Sequence, residues 1–99
     1  MPKPYSDKFL LGLQHADPDH LGVQLAKLCI KANIPYSYVA TSLNTTRMTL
    51  HAWFREGKIR KHNSEKIQAF MDNVEQALAD GKLPASNYTE AKLFVETLS

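Results

Sequence analysis

The chain has 99 residues, of which 43% are hydrophobic and 22% charged, with a formal net charge of +2. That length fits one compact domain, and that composition excludes a disordered chain. No apolar run approaches the ~20 residues that span a bilayer. Residues 1–5 lack the apolar core of a secretory signal, and the single cysteine, Cys29, forms no internal disulfide. These features point to a reducing, cytoplasmic setting with no membrane contact.

Taken in chain order, the punctuation divides the chain into helices. Ser6 can cap a first helix through about residue 15, with Phe9, Leu10 and Leu13 at helical spacing. Asp17, Pro18 and Asp19 make a turn that leads into a helix start, because proline suits a first turn and acidic side chains favour its positive end. The second helix is expected over 19–32. Leu21, Leu25, Leu28, Cys29 and Ala32 fall on one stripe there, which places Cys29 in the core as a small apolar residue. Pro35 pushes the residue before it out of helical geometry, so this helix stops at Asn33 and Ile34.

Two short helices follow, over about 35–43 and 46–55, and Gly57 supplies a stop. Beyond a basic linker, Asn63 or Ser64 caps a fifth helix reaching to about 80. Ile67, Phe70, Met71, Val74, Ala77 and Leu78 face inward on it, and Gly81 and Pro84 close it. A last helix over about 87–98 lines up Tyr88, Ala91, Phe94, Val95 and Leu98. No segment alternates with a period of two. The expected fold class is therefore all-α, a compact domain of five to six helices around a central helix-turn-helix.

The positive charge is not spread evenly. Residues 44–63 carry Arg47, Arg55, Lys58, Arg60 and Lys61 against Glu56, whereas residues 64–99 carry twice as many acids as bases. A basic segment of this kind is the electrostatic footprint of a nucleic-acid contact. It overlaps a pair of helices that must cross steeply with few residues between them. Ala40 is small enough for the crossing, and Val39, Leu43, Leu50 and Trp53 supply the apolar wedge. Asn44 tolerates the positive φ that the turn needs, and Thr46 is a good N-cap for the second helix of the pair.

The run Val39-Ala40, Leu43-Asn44-Thr45-Thr46-Arg47, Thr49-Leu50 and Trp53 resembles the helix-turn-helix of lambda-repressor/Cro-type (XRE-type) regulators. Asn44 stands where that family usually has glycine, and Tyr36 where it often has glutamine. The resemblance covers about 20 residues, and the helix order over 17–81 also fits the family's domain. It leaves 1–16 as an N-terminal helical extension and 82–99 as a C-terminal helix for packing or dimerisation. It implies a sequence-specific transcriptional regulator, a phage- or prokaryote-like repressor or autoregulator acting in the cytoplasm, of the host if phage-encoded. The second helix would lie in the major groove of double-stranded DNA. Thr46, Arg47, Met48, His51 and Arg55 would then reach bases. Tyr36, Ser37, Thr45, Lys58, Arg60 and Lys61 would hold phosphates.

Other chemistry finds little support in the residues. His15, His20, His51 and His62 show no metal-ligand spacing, and there is no glycine-rich phosphate loop or nucleophile with a base, so neither an enzyme nor a cofactor is expected. The stripe of Tyr88, Phe94, Val95 and Leu98 suits a homodimer seam, which would set two reading helices about 34–36 Å apart. The rival reading is a small adaptor or inhibitor that docks its acidic C-terminal third on a larger protein such as RNA polymerase.

Overall fold

The structure, a computed structural model, describes residues 5–98; residues 1–4 of the expected N-terminal extension and residue 99 lie outside them. Six α-helices and no strand are present among the described residues. They are α1 (Asp7–Gln14), α2 (Leu21–Ala32), α3 (Tyr36–Ser42), α4 (Arg47–Phe54), α5 (Lys61–Ala79) and α6 (Tyr88–Thr97). The all-α class expected from the sequence is the one observed.

Local chemistry explains most helix starts. The side chains of Ser6, Thr46 and Asn87 each accept the backbone N–H three residues on, at the starts of α1, α4 and α6. At α2 the expected start at Asp19 is displaced. Asp17 takes the Asp19 N–H on its own side chain, forming a local turn, and His20 becomes the cap by accepting from the Gly22 N–H at 3.0 Å. The start of α5 also differs from expectation. It begins at Lys61, with Arg60 as an N-cap residue that makes no side-chain bond. Ile59, just before it, is half-buried against the core, and Asn63 and Ser64 fall inside the helix's first turn.

Four helix ends share one device. Asn33, Asn44, Glu56 and Gly81 adopt positive φ (59°, 53°, 68° and 77°). Beyond each, the next N–H turns back to a carbonyl of the last helical turn: Ile34 to Cys29, Thr45 to Ala40, Gly57 to Ala52 and Lys82 to Ala77. This satisfies carbonyls that the helix itself leaves unpaired.

The core is drawn from every helix. Val23, Leu25, Ala26 and Cys29 of α2 pack with Leu50, Trp53 and Phe54 of α4 and with Ile67, Phe70, Met71 and Val74 of α5. Burial pushes the Cys29 thiol well above its usual range, which leaves it an inert core residue. A Cα radius of gyration of 12.5 Å is that of a single globule of ~100 residues, so both flanking segments are folded in. In the first, Tyr5 and Leu13 are buried, and the Tyr5 hydroxyl donates to the Ile34 carbonyl at 3.1 Å. In the second, Leu83 and Ala85 are buried, and the Ala85 N–H donates to the Ala32 carbonyl while the Asn33 side-chain amide donates to the Ala85 carbonyl.

α6 packs on α3, and Ala91 and Val95 are buried there. The stripe expected at a dimer seam is thus largely used within the chain. Val95 is in the chain's own core, Phe94 and Leu98 are half-buried against it, and Tyr88 remains the exposed member. No helix among the described residues is long and apolar enough to cross a membrane.

Candidate nucleic-acid interface

The α3–α4 pair is built as its residues dictate. Val39, Leu43, Leu50 and Trp53 are all buried, and Ala40 is buried where the helices meet. Asn44 takes the left-handed conformation that the turn requires. α4 also approaches α2 closely. A Cβ built on Gly22 would stand 2.0 Å from the Trp53 carbonyl oxygen, so only glycine lets the two backbones come this close.

The C-terminal end of α4 is clamped from several sides. The His20 ring accepts the Gly22 N–H on Nδ1, which puts its ring proton on Nε2, and Nε2 donates to the Gly57 carbonyl at 3.0 Å. One carboxylate oxygen of Glu56 accepts the Asp17 N–H at 2.8 Å. Gly57, expected as the stop, is the second residue of the terminating turn, and Glu56 takes the left-handed position before it. A Cβ at Gly57 would meet the Ala52 carbonyl oxygen at 2.5 Å.

This anchoring leaves one side of α4 open. Thr46, Arg47, Met48, Thr49, Ala52 and Arg55 are exposed, and Met48 is 83% accessible. No acidic residue lies within α4. Arg47, Met48 and Arg55 therefore stand where the sequence places them. Thr46 stands there too, but its hydroxyl is occupied by the cap: it accepts the Thr49 N–H at 3.1 Å and donates to the Thr49 hydroxyl at 3.0 Å. Thr49 and Ala52 belong to the open side and were not among the expected readers. Ala52 stands four residues after Met48 and three before Arg55, and Thr49 three before Ala52, the spacings that place residues on one helix face.

His51 is the one expected reader that is not fully exposed. Its ring is half-buried in an aromatic cluster, 4.7 Å from the Tyr36 ring and edge-on to Phe54 and to Phe9 of α1. Burial lowers its pKa from the ordinary value, and the Arg55 and Arg47 cations add to that effect. Its contacts with Phe9, Tyr36 and Phe54 tie α1 and α3 to α4 while part of the ring stays accessible. Tyr5 and Phe9, stacked on each other at 5.5 Å, complete the cluster. Nothing local in the sequence links them to a histidine more than 40 positions away.

The expected phosphate-holding residues fall into two groups. Lys58, Arg60 and Lys61 are exposed, with Lys61 on the first turn of α5 rather than in a loop. Tyr36, Ser37 and Thr45 are half-buried. The Thr45 N–H is occupied by the Ala40 carbonyl, so that amide is closed to a phosphate. Tyr36 has its ring on His51, while α3 begins without a side-chain cap and leaves the amides of Tyr36 and Ser37 free of one. Among the described residues no group of acidic, histidine or cysteine side chains is arranged to hold a metal ion.

Comparison of the chain with protein families, with curated proteins and with solved structures finds no match.

Proposed function

We propose that the protein is a sequence-specific, double-stranded-DNA-binding transcriptional regulator of the lambda-repressor type, acting in the cytoplasm of a prokaryotic or phage-infected cell, with α4 in the major groove. The observation that carries this reading is the open side of α4. Arg47, Met48, Thr49, Ala52 and Arg55 stand exposed on a helix with no acidic residue, and exposed Lys58, Arg60 and Lys61 follow it in the chain. A helix clamped at its C-terminal end and free at its N-terminal tip suits insertion into a groove about 12 Å wide. Arg47 at that tip has the donor fork for guanine O6 and N7, and Met48 the apolar surface for a thymine methyl. The three cations beyond α4 suit phosphates, which add affinity without reading sequence.

Selection of duplexes from a random pool by the purified protein tests this, followed by titration of the enriched duplex. A defined site should emerge, and log affinity should fall against log salt with a slope of about −5 for five or six phosphate contacts. Arg47→Ala should weaken the enriched site by about ten- to a hundredfold and relax one base position. Lys61→Ala should weaken all duplexes alike and reduce the slope by about one. Failure to retain any duplex at low salt removes the reading.

A further inference from the structure

Two histidines of this fold use their ring nitrogens in opposite ways. His20 commits both, one to the Gly22 N–H and one to the Gly57 carbonyl. The His51 ring is packed edge-on to Phe9 and Phe54 and against Tyr36. Yet neither of its nitrogens has a hydrogen-bond partner among the described residues, and neither is sealed from solvent. The carbon edges of this ring serve the cluster, and its two polar atoms are open to a group outside the chain.

The surroundings give that group a sign. Arg47, His51 and Arg55 stand four residues apart, a single column on α4, and both arginines are exposed. The other titratable or charged groups brought near the ring are the Tyr36 phenol on α3, Tyr5 stacked on Phe9, Asp7 and Lys8 on the first turn of α1, and Glu56 just beyond α4. Glu56 has a carboxylate oxygen on the Asp17 N–H. The charges that act on the ring are those of Arg55 and Arg47, with no carboxylate among them. Burial and these two cations keep the imidazole neutral in the free chain. An anion laid along the column would oppose the cations and attract an imidazolium. The duplex backbone is such an anion, with one negative charge per ~1.7 Å of helix axis.

We infer that His51 is a proton-linked DNA contact: when α4 meets a duplex, the imidazole takes one proton from the buffer and donates an N–H to an acceptor on the duplex between Arg47 and Arg55, so that binding tightens as pH falls. This rests on the reading of α4 as the helix that meets DNA. The neutral ring is the form that suits packing against Phe9 and Phe54, and the charged ring is the form that suits the complex. Binding therefore carries its own proton uptake, and acidification strengthens occupancy of the site.

The test titrates the full chain with the duplex enriched by selection between pH 8.0 and 5.5 at fixed ionic strength, with folding followed by circular dichroism. Affinity should rise by about three- to tenfold over that range, with a slope of no more than about one in log affinity per pH unit, the limit for a single proton. His51→Gln should bind with a nearly flat pH profile. His62→Gln, which removes the exposed histidine beside Lys61, should keep most of the wild-type slope. Heats of binding in buffers of different ionisation enthalpy should show net proton uptake by wild type. Proton–carbon NMR of the wild-type histidine rings needs no variant, and His51 should titrate at higher pH with the duplex than without it. Site-specific binding that is flat with pH, a slope carried by His62 alone, or a His51 ring that titrates no higher in the complex would overturn this inference and leave the role of α4 standing. Failure to retain any duplex at any pH in the range removes both.

Discussion

The two ends of α4 are held in opposite ways. At the C-terminal end, the backbone of α2 touches the Trp53 carbonyl through Gly22, the His20 ring bridges to Gly57, and Glu56 ties the turn to Asp17. At the N-terminal end, Thr46 bonds to the Thr49 N–H and hydroxyl, and Arg47 and Met48 stand in solvent. An eight-residue helix is too short to be stable alone, so its order comes from the packing of Leu50, Trp53 and Phe54 and from the clamp at its C-terminal end. The contrast teaches that clamping one end leaves the other ordered yet uncovered, ready to meet a partner without a large loss of backbone entropy.

Substitutions should sort by end. The largest effect is expected at Gly22→Ala. The new Cβ would collide with a backbone oxygen that belongs to a clamped turn, so the cost should be about 3 kcal/mol, read as a fall in melting temperature of more than about 10 °C. A fall of only a degree or two would mean that α2 slides freely and the clamp is loose.

A smaller effect tests the turn itself. Glu56→Ala keeps the left-handed conformation and deletes the bond to the Asp17 N–H, for a loss of about 1 kcal/mol. Glu56→Gly deletes the same bond but relieves roughly 1 kcal/mol of left-handed strain, so it should unfold near the wild-type denaturant midpoint. If both variants behaved alike, the φ of 68° would carry no strain.

His51 gives a pH signature of still smaller size. Its folded pKa lies below the 6.5 of the free side chain, so the unfolded chain binds the proton more readily. The stability due to the neutral ring is present above pH 6.5 and is lost as pH falls below it. Wild type should lose more stability than His51→Gln between pH 7.5 and 5.5 in denaturant titrations. Equal losses would remove His51 as the source. At the free end, Met48→Ala should change stability by less than about 0.5 kcal/mol. A clear destabilisation there would break the contrast between the two ends.

Features that depend on a few neighbouring residues were legible without coordinates. Helical spacing locates six apolar stripes, Asn44 is the residue that tolerates the turn, and Thr46 caps α4 through a bond only three positions long. The exposed placement of Arg47, Met48 and Arg55 follows from the same periodicity. Several of the features that differ from expectation involve partners far along the chain. His20 precedes the start of α2 at Leu21 and its other ring nitrogen meets Gly57, 37 positions on, while Glu56 takes the left-handed position and its carboxylate reaches Asp17, 39 positions back. His51 turns inward because Phe9 and Tyr36 converge on it.

The sequence by itself determined the helices, the wedge between α3 and α4, and which way α4 points its arginines, since these need only the 3.6-residue period and the chemistry of adjacent side chains. Tertiary structure alone decided which glycine admits a neighbouring backbone, which histidine becomes a cap and which a packing residue, and that the two flanking segments close onto the same core. Those outcomes depend on distances between residues far apart in the chain, and local periodicity carries no information about them.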